Sequence, residues 1–181
     1  MGDHFQTLVV QDVDLDEAAA FGERIRAILI EQEIVRPERS TECALGSEGH
    51  APGARWTRAA RSSDGEFPDG YATNGVVIEV GRALHGFGAT SLVCSTCRAA
   101  QPMEPRWRDA ELAYVERGEI LVVGCEACGA AALSTDWEFD WPMALGALGI
   151  TFWNWPPLKR SFVDDLAGEI ERPVRMVRGK L

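Results

Sequence analysis

Two Cys-x-x-Cys pairs carry the clearest chemistry in this sequence: Cys94-Ser95-Thr96-Cys97 and Cys125-Glu126-Ala127-Cys128, separated by residues 98–124. A two-residue spacer lets the chain turn back so that both thiolates of a pair reach one ion. The same turn aims backbone N–H groups at the sulfurs. Gly129, directly after the second pair, supplies the backbone freedom such a turn requires. Four thiolates in a tetrahedron are a set that a structural zinc ion takes. Free buried thiols or a disulfide pair are the competing readings, and the matched double spacing favours zinc over both. A redox Cys-x-x-Cys would need one pair poised at a helix N-terminus. Iron–sulfur clusters usually show other spacings. With Cys94, Cys97, Cys125 and Cys128 all on one Zn2+, no position is left for water or substrate, so the ion is expected to be structural.

Each pair needs an element to deliver it. Leu92-Val93 precede Cys94, and Ile120-Leu121-Val122-Val123 precede Cys125, as strands leading into the two turns. This arrangement resembles the zinc-ribbon family over about Ser91 to Asp136. The first turn departs from the commonest ribbon pattern, because Arg98 stands where Gly is usual. The stretch between the pairs is slightly long for a minimal ribbon. Trp107 to Tyr114 reads as a helix with Gly118 past its end, so the resemblance implies an elaborated ribbon.

Other candidate residues are weaker. Cys43 is the spare thiol; a lone Cys is most often a small buried hydrophobe, and no base lies near it in sequence. The histidines His4, His50 and His85 form no His-x-x-x-His pair, and no His-Glu-x-x-His or Gly-x-Ser-x-Gly occurs. His85, flanked by glycines in Leu84-His85-Gly86-Phe87-Gly88, is either a ligand contact or a polar turn residue. Asp12, Asp14, Asp16 and Glu17 lack the further ligands of a calcium loop, and helix capping explains them better.

The elements around the cysteine region follow from periodicity. Phe5 to Val10 is a short β-prone run. Asp14 caps a helix, with Glu17 completing a capping-box-like pair; Ala18, Phe21, Ile25, Ile28 and Leu29 are its apolar stripe, and Pro37 is expected to end it. Ser40 to Asn74, rich in Gly, Ser, Pro, Asp and Arg, either hides a short strand or helix or is a surface excursion carrying function. Val76 to Val80 alternates as a strand, and the glycine-rich stretch after it reads as a loop or bulged strand end. Ile150 to Trp155 reads as a central strand, with Trp153 and Trp155 on one face. Pro156-Pro157 opens a helix striped by Leu158, Phe162, Val163, Leu166 and Ile170, and Val174 to Arg178 is an edge strand. The order strand, helix, strand, strand, helix, strand is that of the ferredoxin-like split βαβ sandwich. The expected organisation is an α+β body of residues 1–90 and 137–181 with a zinc-ribbon insertion at 91–136.

Composition narrows the function. Twenty-eight acidic residues stand against 18 basic ones, for a net charge of −10. That balance disfavours nucleic acid, although Arg55, Arg58 and Arg61 recur at three-residue spacing and Arg98, Arg106 and Arg108 could form a second basic group. No apolar run is long enough to span a membrane, and the start of the chain does not read as an export signal, so a cytoplasmic protein is expected. Trp137, Trp141, Trp153 and Trp155 crowd one stretch. At least two are expected in the core; an uncovered Trp153/Trp155 face would be a sticky aromatic surface, and the strip in which Asp136, Glu138 and Asp140 interleave with Trp137, Phe139 and Trp141 would suit a basic protein partner. The leading reading is a non-enzymatic, zinc-containing protein that binds a protein partner, with an immunity or antitoxin-like role as one version. The rival is a small hydrolase or transferase using His50 or His85 in the 40–90 region. The stretch Phe152 to Pro157, with Val177 to Leu181, is similar to a group of uncharacterised bacterial proteins, a likeness that implies no activity.

Overall fold

The computed structural model describes residues 2–45, 47–62, 66–67, 73–103 and 105–181, with Arg106 described by its backbone alone. β1, His4–Val10, sends Leu8 and Val10 to one face and Phe5 and Val9 to the other. α1, Leu15–Glu31, starts at Asp14, whose carboxylate accepts the Glu17 N–H at 2.9 Å. The cap read from the sequence is therefore present. Gly22 lies buried in α1, where an added Cβ would sit 3.3–3.4 Å from Ile78, Leu148 and Val80. Its lack of a side chain lets the helix rest close against the sheet.

The helix ends earlier than Pro37 predicts. Glu33 adopts the left-handed conformation at φ 57°, and the chain turns into β2, Val35–Ser40. Pro37 lies inside this strand. The position suits proline because β2 is the outermost strand of its sheet and has an unpaired edge. The unassigned stretch from Ser40 to Asn74 holds, among its described residues, β3, Gly49–Pro52, and a 3-10 turn at Trp56–Arg58. Trp56, Ala59 and Ala60 enter the core, and Ala60 bridges to Leu158. Residues 46, 63–65 and 68–72 of that stretch lie outside the described residues.

β4 runs from Val76 to His85, through the glycine-rich segment, and pairs with β10, Ala144–Trp153. Gly146 faces Ala83 while Leu148 faces Val80, so Gly81 and Arg82 together oppose Ala147 in a bulge. β10 is buried along nearly its whole length, as expected of a strand covered on both sides.

Trp153 and Trp155 do not share a face. β10 stops at Trp153, and Asn154 turns left-handed at φ 55°. Its amide is fully used. Oδ1 accepts the His4 N–H, and Nδ2 donates to Asp3 Oδ1 and the Thr73 carbonyl. This reversal sends Trp155 under the helices against Phe152, Trp56 and Phe67, while Trp153 packs on Phe5 at the opposite face. The next helix, α3, covers Arg160–Ile170 and does not begin at Pro156-Pro157. Leu158 and Lys159 stay extended because their N–H groups are held by Gln6 Oε1 and the Ala59 carbonyl. β11, Val174–Lys180, closes the chain as an edge strand.

The large sheet has the order β11-β1-β10-β4-β3-β2 with antiparallel neighbours. α1 and α3 pack on one face in a single apolar cluster. The fold is mixed α+β, with antiparallel sheets and three α-helices among the described residues. The sheet has two more strands than the sequence order predicts: β2, where the end of α1 was expected, and β3, from the unassigned stretch. No helix among the described residues is long and apolar enough to cross a membrane.

Between β4 and β10 lies the cysteine region. It contains β5 Ser91–Val93, β6 Ala100–Pro102, α2 Arg106–Leu112, β7 Val122–Gly124, β8 Ala131–Leu133 and β9 Glu138–Phe139. α2 continues as a wider π-type turn over Ala113–Arg117 and stops at Gly118, left-handed at φ 74°. The helix with glycine past its end is therefore where the sequence placed it.

Candidate metal centre

Each cysteine pair sits at the tip of a two-stranded hairpin. β5 and β6 flank the first, β7 and β8 the second. The turns are hydrogen-bonded alike. In the first, the Cys94 N–H donates to Ala99 O and the Arg98 N–H to Cys94 O. In the second, the Cys125 N–H donates to Ala130 O and the Gly129 N–H to Cys125 O. The residue after each second cysteine is left-handed: Arg98 at φ 60° and Gly129 at φ 72°. Arg98 tolerates there what glycine adopts freely, and its guanidinium pairs with Glu138 at 2.6 Å.

The two tips face each other. Cys94 Sγ lies 3.9 Å from Cys128 Sγ and Cys97 Sγ lies 3.7 Å from Cys125 Sγ, and all four sulfurs fall within 4.8 Å of one another. These separations are far too long for a disulfide, and all the cysteines are free thiols. Cys94 and Cys125 are buried; Cys97 and Cys128 face solvent. The N–H groups of Cys97 and Thr96 donate to the Cys94 sulfur and, against desolvation, draw its thiol down to about 6. At Cys128 the Ala130 N–H also favours the thiolate, yet the thiols of Cys97, Cys125 and Cys94 crowd it and push it up to about 12. One sulfur ionises readily while four together resist it, which is the electrostatic situation a cation relieves. The cluster could therefore hold a metal ion.

The surroundings lock the tips together. Gln101, buried in β6, donates through Nε2 to Gly124 O at 3.3 Å and accepts the Glu126 N–H at 2.9 Å, clamping one hairpin to the other. Trp137 is buried and donates its indole N–H to Val123 O. Trp107 packs edge-on to Phe139 at 4.9 Å, and Cys94 and Cys125 join these rings in one apolar cluster. No spacing rule points to Gln101 or to the Trp137 bond, because both depend on the second hairpin, distant in sequence.

The remaining candidates are dispersed. Cys43 is buried beneath Gly75 and its thiol is raised by desolvation, which makes it a poor nucleophile. His50 is buried with Nδ1 on Arg36 O at 2.9 Å, so that nitrogen is already engaged. His85 is also buried, at the end of β4, and its Nε2 has no partner. Among the tryptophans, Trp137 and Trp155 lie in separate cores, Trp153 is half-buried, and Trp141 is 49 % exposed. In the suggested basic group, Arg98 is taken by Glu138, Arg108 has a partner of its own, and the side chain of Arg106 lies outside the described residues.

No protein-family model matches the chain, and neither the curated proteins nor the solved structures contain a significant match to it.

Proposed function

We propose that Cys94, Cys97, Cys125 and Cys128 hold one structural zinc ion, and that the ion organises a protein-binding module without enzymatic activity. The carrying observation is the sulfur geometry. A zinc tetrahedron with bonds of about 2.3 Å has edges of about 3.8 Å; Cys97 Sγ and Cys125 Sγ lie 3.7 Å apart, Cys94 Sγ and Cys128 Sγ 3.9 Å, and all four sulfurs within 4.8 Å of one another. In this reading residues 91–136 form a zinc-ribbon insertion in a ferredoxin-like body made of 1–90 and 137–181. The order β11-β1-β10-β4 supports the body assignment, because it is the strand order of a split βαβ sandwich.

The partner reading rests on where apolar surface is left uncovered. Val122 and Leu133 are cross-strand partners on β7 and β8, and both are exposed, Val122 by 66 %. Ile120, two residues before Val122, is also exposed. Such an apolar strip on a chain of net charge −10 suits a basic protein with an apolar contact at its centre. An immunity or antitoxin-like role in the cytoplasm is the concrete version. The partner surface suggested by the tryptophans shrinks to Trp141 and the rim of Trp153, with the outer face of the second hairpin added.

Elemental analysis of protein purified without added metal should find about one zinc per chain. A metal-free protein with all five thiols titrating freely would sink the assignment. For the partner, a Val122→Asp, Leu133→Asp double variant should keep its metal and lose the partner that the unaltered chain retains. Undiminished retention would move the interface elsewhere.

A further inference from the structure

The face of the large sheet turned away from α1 and α3 carries a groove of about 430 Å³. Its apolar wall is a run of aromatic rings, with Phe5 5.6 Å from Phe87 and 5.7 Å from Trp153 between centroids. Its polar lining comes from Glu79, His85 and the hydroxyls of Thr7 and Thr151. The sheet register brings these groups together. Glu79 is the cross-strand partner of Gly149, and Thr7 of Thr151. The His85 ring occupies the space that a side chain at Gly149 would fill: a Cβ there would lie 2.5 Å from Cε1 and 2.8 Å from Nδ1. The imidazole thus stands beside Glu79 across the strands.

The polar groups at this position are chiefly acceptors. Desolvation holds His85 in its neutral form, partly opposed by a hydrogen bond to the Gly146 backbone. Nε2 has no hydrogen-bond partner among the described residues, so the tautomer protonated on Nδ1 would offer a free lone pair there. His85 is only 8 % exposed, so this lone pair is withdrawn from bulk water. Glu79 is exposed on β4, yet packing around its carboxyl raises it by desolvation; among the described residues it accepts a long bond, 3.5 Å, from the Thr151 hydroxyl. The Thr7 and Thr151 hydroxyls are bonded to each other at 2.9 Å. Arg82 also lines the groove, yet its guanidinium lies flat against Gly118, where a Cβ would be 2.7–2.8 Å from Nε and Cζ. It is therefore turned toward the cysteine region.

A carboxylate, an imidazole lone pair and aromatic faces together call for a cation that donates N–H bonds and carries an apolar stem. We propose that this groove binds a primary alkylammonium group, as a free small amine or as the end of a lysine side chain. The site is independent of the metal and of the β7–β8 surface.

Titration of the intact, metal-loaded chain with n-butylammonium, followed by amide and indole NMR, tests it. Saturable shifts are expected at Glu79, His85, Thr151 and the Trp153 indole. Tetramethylammonium has the same charge but no N–H, and should bind at least about tenfold more weakly. Glu79→Gln, nearly isosteric and at a partly solvated position, should weaken n-butylammonium by a similar factor. Nα-acetyl-lysine methylamide separates the two sources: tighter binding than n-butylammonium assigns a lysine, weaker binding a free amine. No saturation at millimolar amine, or equal binding of tetramethylammonium, would overturn the proposal whatever the variant does. So would unaltered binding by a folded Glu79→Gln chain.

Discussion

Under the helices, 22 buried residues among those described form one apolar cluster drawn from α1, α3, the strands and the segments around Trp56 and Trp155; the cluster around the cysteine region gathers nine, two of which are Cys94 and Cys125. The first cluster is large enough to hold its elements by burial alone. At about 25 cal/mol per Å², fully burying one of its isoleucines, leucines or phenylalanines contributes about 1.5–3 kcal/mol. The second supports two hairpins of three-residue strands and a short helix, and an isolated hairpin is marginal in water. What the second region lacks in apolar area must come from elsewhere. The candidates are the four clustered sulfurs, which could hold a metal ion, and Gln101, which bridges the hairpins. One part of the chain is thus held by packing, and the other is poised to be held by coordination.

The sharpest way to break this contrast is Cys125→Ser, or removal of the proposed zinc ion by a chelator. Structural zinc contributes about 10–16 kcal/mol in such sites, and this becomes folding energy for the region around it. Proteolysis should cut first between Ser91 and Asp136. Hydrogen exchange should rise in β5 to β8 while α1, α3 and β10 stay protected. Uniform loss of protection across both regions would mean that the two cores fold as one.

The mirror experiment empties the other core. Leu148→Ala, at a fully buried position touching Gly22 of α1, should cost about 2–5 kcal/mol in a thermal or denaturant melt. Metal content should stay unchanged. Loss of metal in parallel with stability would show that the cysteine region depends on the body more than its separate core implies.

The same contrast explains what could be read before the structure. Metal spacing is local, so Cys94 to Cys97 and Cys125 to Cys128 were legible as two turns, and α1 was legible from Asp14 and its stripe. What failed was set by single residues in left-handed backbone. Glu33 ends α1 before Pro37, and Asn154 ends β10 before Trp155; Glu seldom adopts that conformation, and Asn adopts it more readily than most residues but does so only where its surroundings favour it. Asn154 adopts it because Asp3, His4 and Thr73 use its amide, contacts invisible along the sequence. β2 and β3 were missed because Arg, Pro, Glu and Gly dominate them, and they are strands only through pairing at the sheet edge.

A smaller effect comes from His85, whose pKa is lowered from its ordinary 6.5 by desolvation. The unfolded chain then binds this proton more readily than the folded one. His85 stability is therefore fully present above 6.5 and is lost as pH falls below it toward the depressed folded value. Glu79, raised by desolvation, acts with the opposite sign, its penalty easing as pH falls through its folded value. Replacing His85 by Gln should flatten the decline in melting temperature just below pH 6.5. An unchanged slope there would place the pH sensitivity in other groups.

The smallest expected effect distinguishes the two cysteine turns from each other. Gly129 stands at φ 72° in open space, with nothing within 4 Å of an added Cβ, so Gly129→Ala meets no steric clash and costs only the left-handed backbone penalty. That is about 1–2 kcal/mol for an L-residue. Arg98→Gly relieves the same penalty in the first turn. It also loses an ion pair with Glu138 whose members are 63 % and 47 % exposed, and such pairs are worth about 0–1 kcal/mol. Glycine adds about 0.5–1 kcal/mol of backbone entropy to the unfolded chain. The opposing effects nearly cancel, so Arg98→Gly should leave the melting midpoint of the metal-loaded cysteine region almost unmoved, while Gly129→Ala lowers it. A large loss in Arg98→Gly would show that the Glu138 contact anchors the first turn to β9 and that the two turns are held by different means.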